Sequence, residues 1–139
     1  DPTQKCINAF DNTNAYGGVG YALRLDYDVD SPNPAYNGFW MKLSGVDAST
    51  YQYLVFYVKG DITKSFSPQV KLELKNKSEV GKYLLTGITT EWQRVRVPLS
   101  EFVGIADFSA MTEFVVVFDD LNSNPKVGTV YFDEISFEN

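Results

Sequence analysis

The chain has no histidine and a single cysteine, and both shortages limit its chemistry. Without histidine it cannot form a Ser-His-Asp triad, a Cys-His pair or a histidine-ligated zinc or iron site. With Cys6 alone, no disulfide can form within the chain, so the fold must be stabilised by its core. The simplest interpretation of Cys6 is a small buried residue; the alternatives are a free thiol or a link between chains.

Basic clusters and membrane-length apolar runs are also missing from the sequence. Its 18 Asp and Glu outnumber its 12 Lys and Arg, which gives a net charge of −6. Because an acidic surface repels phosphate backbones and anionic lipids, we expect neither nucleic-acid binding nor membrane insertion. The motifs that hold phosphates, dinucleotides or CxxC chemistry are absent too, so the common cofactor classes find no support.

What the sequence has in plenty is apolar and aromatic residues arranged for β-structure. Hydrophobic residues make up 44% of the chain and aromatic residues 15%, which is enough to build a core. Polar and apolar residues alternate in segments such as 70–75 (VKLELK) and 93–97 (QRVRV), as expected for strands with one buried face. Glycine, proline and asparagine turns separate these segments. The sequence therefore predicts an all-β chain, a single antiparallel β-sandwich domain of about nine strands with jelly-roll topology over residues 1–139.

Two segments depart from simple alternation. Residues 114–118 (FVVVF) are apolar on both faces, which predicts a central strand, or a strand whose second face meets a ligand or partner. Residues 98–102 (PLSEF) interrupt the pattern and predict a short helical turn with Ser100 as its N-cap.

Three motifs carry a resemblance to a known class of proteins. Residues 51–61 (YQYLVFYVKGD), 91–102 (EWQRVRVPLSEF) and 128–137 (GTVYFDEISF) resemble jelly-roll carbohydrate-binding modules of the family 11 type. These modules have the galactose-binding-domain-like fold and accompany glycoside hydrolases, and complex I intermediate-associated proteins share a similar pattern. The opening residues 7–11 (INAFD) also resemble the first strand of that family, so the resemblance covers nearly the whole chain.

The resemblance implies an extracellular or secreted, non-catalytic module that binds polysaccharide and is appended to or associated with glycan-degrading machinery. Family 11 modules bind β-glucans through an Arg/Asp/Tyr group in a long loop. The corresponding loop, residues 103–108 (VGIADF), is short and contains neither Arg nor Tyr. The resemblance therefore implies the fold and glycan binding without naming the glycan.

The resemblance also implies a structural calcium ion that ties the first strand to the last. The matching positions are Asp11 and Asp133. Since calcium takes six to eight oxygen ligands, two carboxylates would need backbone carbonyls or waters to complete the site. The alternative is that Asp133 accepts backbone N–H bonds and that Asp11 is a surface turn residue.

Sugar recognition needs aromatic faces for stacking and polar groups for the hydroxyls on one surface. In a jelly roll we expect the strands at 38–43, 70–75, 82–86 and 114–118 to share one sheet, with Val115 and Val117 as an apolar floor on its outer face. The alternative is that Trp40 is a core residue and that the charges are a hydrated surface. We predict that the ligand-binding residues on this face are Trp40, Lys42, Lys71, Glu73 and Tyr83.

A catalytic role finds little support in the sequence. Glycosidases need two carboxylates that face each other across the scissile bond. The acid pairs Asp119-Asp120 and Asp133-Glu134 are adjacent, and adjacent strand residues point to opposite faces. We therefore predict that the chain is not an enzyme.

Two functions from different classes remain. The first is a glycan-binding module within a larger parent protein, which should show exposed aromatic residues on one sheet face. The second is a self-assembling structural subunit of an extracellular surface layer or filament, in which Asp1 to Cys6 would contact a neighbouring copy.

Overall fold

A computed structural model describes residues 5–139, and within them the chain forms nine β-strands and two short 3₁₀ turns. The turns lie at Tyr16–Gly18 and Leu99–Glu101. Residues 1–4 lie outside the described residues. They include the start of the predicted domain and most of the segment that was predicted to contact a neighbouring copy in a structural subunit. The strands are β1 Cys6–Asp11, β2 Ala22–Asp28, β3 Tyr36–Val46, β4 Tyr53–Gly60, β5 Val70–Lys75, β6 Val80–Leu85, β7 Gln93–Pro98, β8 Met111–Asp119 and β9 Val127–Glu138.

The strands form two antiparallel sheets, which confirms the predicted all-β sandwich. The five-stranded sheet has the order β1-β2-β9-β4-β7, and the four-stranded sheet has the order β3-β8-β5-β6. The four strands expected to share a sheet do so. The apolar strand β8 lies between β3 and β5, as its two apolar faces predicted.

Alternation along each strand sends apolar side chains between the sheets. Phe56 and Phe132 come from the five-stranded sheet, and Leu72 and Phe114 from the four-stranded sheet; all four are at most 1% exposed. Burying each such side chain contributes about 2 kcal/mol, so the core fixes which face of every strand is left outside. That choice positions the surfaces described below.

The helical turn before residue 102 forms, but its predicted cap is wrong. The turn begins at Leu99 and makes no side-chain cap hydrogen bond, and Ser100 lies inside it. Pro98, at φ −56°, ends β7 and leads into the turn in place of a capping side chain.

Cys6 packs against the core from the edge strand β1. Burial, together with the negative charge of Asp26, raises the pKa of the Cys6 thiol to about 12. The thiol of this partly buried residue therefore stays protonated at neutral pH. Among residues 5–139, no helix has the length and apolar character needed to cross a membrane.

Candidate functional site

The outer face of the four-stranded sheet carries side chains in rows that cross the strands. One row runs Trp40, Val115, Glu73, Lys82 from β3 through β8 and β5 to β6. The row on one side of it runs Lys42, Glu113, Lys75, Val80, and the row on the other side runs Gly38, Val117, Lys71, Leu84. Beyond these, Tyr36 pairs with Asp119. We call the outer-face side chains of these three rows, together with Tyr36 and Asp119, the platform.

Two aromatic side chains of the platform stand free in solvent. Trp40 is 61% exposed and Tyr36 is 82% exposed, both on β3. Phe39 and Met41, on the opposite phase of the strand, pack against the core. Phe39 and Met41 therefore contribute to the core, and the indole of Trp40 is left outside, where an apolar ligand face can stack on it.

Gly38 lies between the two aromatic residues on the outer face of β3. A Cβ at this position would overlap the carbonyl oxygen of Val116, so the close approach of β8 requires glycine here. Gly38 pairs with Val117, so no side chain of β3 lies directly beside Val117 in this row.

A cavity of about 450 Å³ occupies the Tyr36 end of the platform. This size is within the range of small-molecule sites. Its walls combine an aromatic ring, an apolar floor and charged groups, the mixture that a hydroxyl-rich ligand requires. The lining includes Tyr36, Val117, Lys71, Glu73, Asp119 and Leu121.

Ion pairs link five of the charged side chains of the platform. Lys75 Nζ lies 3.9 Å from Glu73 Oε1 and 3.7 Å from Glu113 Oε2, so one ammonium serves two carboxylates. Lys71 Nζ lies 3.7 Å from Asp119 Oδ2. Asp119 in turn accepts the N–H of Asn122 at 2.7 Å, which fixes the loop that closes this end of the platform.

Four of the five predicted ligand residues, Trp40, Lys42, Lys71 and Glu73, lie together on the platform, and Tyr83 does not. Tyr83 pairs with the core residue Leu72, packs against the core and lies 5.8 Å from the ring of Phe102. The placement predicted for Tyr83 is therefore wrong.

The outer positions on β6 belong instead to Lys82 and Leu84. The orientation of β6 is set by Gly81, a buried residue two positions before Tyr83 and on the same face of the strand. A Cβ there would collide with Ile105 and Phe102, so close packing at Gly81 sets the phase of the strand.

Tyr36 is the aromatic platform residue that the sequence interpretation missed; Lys75, Lys82 and Glu113 were missed as well. The predicted strand began at residue 38, whereas β3 begins at Tyr36. Counting back by two from Trp40 through Gly38 would have placed Tyr36 on the same face.

Asp11 and Asp133, the predicted calcium ligands, lie on one face of the other sheet. Asp11 on β1 pairs with Ala22 on β2. Phe132 on β9 pairs with Leu23, the residue after Ala22, so the next residue on β9, Asp133, lies beside Ala22 on its other side. Asp133 precedes Glu134, whose φ of 52° marks a β-bulge in the terminal strand.

Both carboxylates accept N–H groups from the segment that links β1 to β2. Asp11 Oδ1 accepts the N–H of Thr13 at 2.8 Å and of Asn14 at 3.0 Å, and Asp133 Oδ2 accepts that of Tyr16 at 2.9 Å. Partial burial of Asp11 acts to raise its pKa, but the bonds from Thr13 and Asn14 outweigh it and lower the pKa. Both carboxylates thus tie the 12–18 segment to the sheet.

This arrangement fits a calcium ion only in part. Within residues 5–139, no group of three or more acidic, histidine or cysteine side chains could hold a metal. Arg24 Nη1 also lies 3.5 Å from Asp11 Oδ2 and competes for that carboxylate. Because calcium takes six to eight oxygens, backbone carbonyls or waters would have to supply most of them. Calcium at Asp11 and Asp133 stays a prediction.

The outer face of the five-stranded sheet also carries aromatic residues, but they pack on one another. Tyr16 stacks on Tyr57 with ring centroids 3.7 Å apart, and Trp92 meets Tyr16 edge-on at 6.2 Å. Lys59 Nζ lies 5.1 Å from the ring of Trp92. Since these faces are already covered by other side chains, this surface offers less free aromatic area than the platform.

Comparison with protein families gives a match over almost the full sequence. A family model described as "Carbohydrate binding domain 30" matches residues 2–139. No curated protein sequence gives a significant match.

Solved structures with a similar fold include several carbohydrate-binding modules. A family 11 module from Clostridium thermocellum, in complex with a β-1,3-1,4-mixed-linked tetrasaccharide, has a TM-score of 0.74 at 17% identity, over 99% of this chain and 86% of that chain. The family 30 module of cellulosomal cellulase Cel9D-Cel44B of the same organism has a TM-score of 0.67 at 22% identity, covering 92% and 79%. Module CBM27-1 of Caldicellulosiruptor saccharolyticus, in complex with mannohexaose, has a TM-score of 0.63 at 18% identity, covering 95% and 82%.

Proposed function

Because the chain belongs to the family described as Carbohydrate binding domain 30, it is a non-catalytic carbohydrate-binding module, and we propose that it binds a polysaccharide chain on the platform. The observation that carries this proposal is the exposure of Trp40 and Tyr36 on one sheet face, 61% and 82% respectively. An exposed aromatic pair beside fixed charged groups combines stacking surface with hydrogen-bonding partners, as sugar recognition requires.

The platform residues have separate roles in this proposal. Trp40 and Tyr36 stack on sugar faces, and Val117 supplies an apolar floor between them. Lys71 and Glu73 line the cavity beside Tyr36 and provide a donor and an acceptor for hydroxyl groups. Because their ion pairs already order these side chains, less conformational entropy is lost when a ligand binds.

The ligands of similar proteins support an extended glycan. The family 11 module is bound to a tetrasaccharide and the family 27 module to mannohexaose. On the platform, the two aromatic residues are four positions apart on β3, which corresponds to about 13 Å along the strand. A ligand that contacts both must be larger than a single sugar ring.

We further propose that the module acts outside the cell within a larger parent protein that degrades glycans. The family 30 relative, a module of a cellulosomal cellulase, supports this setting. The competing hypothesis, a self-assembling subunit of a surface layer or filament, expected aromatic residues to be buried between copies and is not favoured by the family match.

Affinity electrophoresis tests the proposed function directly. The protein is run through gels that contain glucan, xylan, mannan or galactan, beside the variants Trp40→Ala and Trp92→Phe. Trp92→Phe is the control, because Trp92 lies directly before β7 of the other sheet. Retardation by at least one polymer that is lost in Trp40→Ala and kept in Trp92→Phe is the expected result. Equal retardation of all three proteins would place the binding surface elsewhere, and no retardation by any glycan would contradict the proposal.

A further inference from the structure

The carboxylate of Asp119 lines the platform cavity at the position opposite Tyr36. Asp119 is the last residue of β8 and pairs with Tyr36 on β3. Because paired residues on one face of a sheet have Cβ atoms about 5 Å apart, a sugar ring that stacks on Tyr36 lies beside this carboxylate. Both residues line the cavity of about 450 Å³, so Asp119 is placed to contact the same ring.

The loop after β8 fixes the orientation of this carboxylate. Oδ1 accepts the N–H of Leu121 at 3.1 Å and the N–H of Asn122 at 2.7 Å, and the side-chain amide of Asn122 donates to both carboxylate oxygens at 3.0 Å. The carbonyl of Asn122 in turn accepts Gln69 Nε2 at 3.0 Å, which anchors the loop to the segment before β5. Since these bonds already order the carboxylate, little conformational entropy is lost when a ligand binds.

The second oxygen of this carboxylate keeps acceptor capacity beside an ammonium group. Among residues 5–139, Oδ2 accepts a hydrogen bond from Asn122 alone, although a carboxylate oxygen has room for a second. Lys71 Nζ lies 3.7 Å from Oδ2, farther than the roughly 3.2 Å limit of a good N–H···O bond. Two adjacent hydroxyls of one sugar ring match this pair, because one can donate to Oδ2 while its neighbour accepts from Nζ.

The charged lining of the cavity favours hydroxyls that donate. Its charged residues are Lys71, Glu73, Asp119 and Asp120, so three carboxylates line the cavity with one ammonium. Ionised carboxylates only accept hydrogen bonds. A free hydroxyl can donate to them, whereas an O-acetyl group cannot and would leave a partly buried acceptor without a partner. A carboxylate on the ligand would be repelled by the same groups.

Trp40, at the other aromatic position of the platform, has a different neighbour. It pairs with Val115, so the residue beside the indole on β8 is apolar. A ring on Trp40 is therefore bound mainly through its apolar face, whereas a ring on Tyr36 also meets the Asp119 carboxylate. A glycan that extends along β3 contacts both positions, and the selection by hydroxyl chemistry takes place at Tyr36.

On this basis, and resting on the proposed function, we propose that Asp119 is a specificity-determining residue that, together with Lys71, binds two adjacent unsubstituted hydroxyls of the sugar ring on Tyr36. The ligand class is then a neutral glycan without O-acyl groups on that ring. Where the polymer is O-acetylated, a deacetylation reaction has to come before binding. The glycan continues from Tyr36 toward Trp40, in the direction of the two aromatic residues.

Affinity electrophoresis with matched polymers and matched variants tests this specificity. The probes are glucan, xylan, mannan and galactan, each beside the same polymer after partial chemical O-acetylation, which keeps the backbone. The variant Asp119→Asn retains one oxygen that can accept the N–H groups of the loop and replaces the other oxygen by an amide donor. Asp28→Asn is the control, since Asp28 ends β2 on the other sheet and accepts the N–H of Asp30 in a similar turn.

The parent protein should bind at least one unmodified polymer more tightly than its acetylated form. Asp119→Asn should weaken binding of the unmodified polymer by about tenfold, the effect of losing one hydrogen bond to a charged group, and should bind both forms about equally. Asp28→Asn should keep both the affinity and the preference. A loss of stability alone would reduce binding of both forms by the same factor, so the preference separates recognition from folding.

Four results would overturn the proposal. Equal binding of both forms by the parent protein would show that the hydroxyl specificity is wrong while the proposed function stands. A full preference in Asp119→Asn would show that acetyl groups are excluded elsewhere on the surface. The same loss of preference in Asp28→Asn would reduce the effect to a change of net charge. Binding to none of the polymers, unmodified or acetylated, would overturn the proposed function as well.

Discussion

Tyr36 and Trp40 project from the same face of β3 on either side of Gly38, which is the only residue between them on that face. The glycine allows the backbone of β8 to approach, and it places no side chain between the two rings. One residue thus serves both the packing of the sheet and the shape of the platform.

Removing either aromatic ring should weaken binding without weakening the fold. Because stacking on one ring is worth about 1 kcal/mol, Trp40→Ala or Tyr36→Ala should raise the dissociation constant for a bound glycan by about fivefold. Both side chains are exposed, so the melting temperature should stay close to that of the parent protein. Titration calorimetry and thermal unfolding check the two quantities. A large fall in melting temperature for Trp40→Ala would show that Trp40 belongs to the core.

Tyr83 should behave in the opposite way. It packs against Phe102 on the core side of β6, so Tyr83→Ala should lower the free energy of unfolding by roughly 1–3 kcal/mol through lost packing. Urea unfolding measures this change. Glycan affinity, measured well below the melting transition, should be nearly unchanged. Loss of affinity with unchanged stability would return Tyr83 to the binding surface.

The pair formed by Asp61 and Tyr131 predicts a loss of stability in acid. Tyr131 Oη donates to Asp61 Oδ2 at 2.7 Å, and the N–H of Thr63 donates to Oδ1 at 2.8 Å. Partial burial acts to raise the pKa of Asp61, but these hydrogen bonds outweigh it and lower the pKa from 3.8 to about 2.

A carboxyl group with a lowered folded-state pKa stabilises the fold above its unfolded value and loses this effect as pH falls. For Asp61 the loss should occur between pH 3.8 and about 2. At about pH 5, the variant Asp61→Asn should melt at a lower temperature than the parent protein. Below about pH 4, its melting temperature should decline less steeply than that of the parent protein. Melting curves across this interval provide the check. Parallel declines in both proteins would show that other carboxylates control the acid response.

Calcium, if it binds as predicted at Asp11 and Asp133, should stabilise the fold by mass action because it binds only the folded chain. Adding a chelator to a metal-loaded sample should then lower the melting temperature, and Asp133→Ala should abolish that response. Asp47→Ala provides a matched control, since Asp47 is an exposed carboxylate far along the chain from both positions. If the chelator leaves the melting temperature unchanged, the calcium prediction is wrong. The two carboxylates would then hold the 12–18 segment by accepting the N–H groups of Thr13, Asn14 and Tyr16.

Much of the sandwich could be predicted because alternation reports directly on burial. In β5, the strict alternation of Leu72 and Leu74 with Lys71 and Glu73 leaves one possible orientation, and the structure has it. The apolar character of both faces of β8 favoured a central strand, and β8 lies between β3 and β5.

The candidate site was harder to predict where backbone packing decides the outcome. On β6, Leu84 is exposed and Tyr83 packs against the core, although leucine is the more apolar residue. The contact of Gly81 with Ile105 and Phe102, both distant in sequence, sets this phase. The ordering of Lys75 between two carboxylates likewise depends on cross-strand register, which a single sequence does not specify.

The most direct test of the account follows Trp40 itself during glycan binding. The chain has two tryptophans, so Trp92→Phe leaves Trp40 as the sole indole reporter. Titrating this variant with neutral polysaccharides should shift and protect the Trp40 fluorescence, and the midpoint should match the calorimetric dissociation constant. Binding detected by calorimetry while the fluorescence of Trp40 and its quenching by acrylamide stay unchanged would contradict the assignment of the platform as the carbohydrate-binding surface.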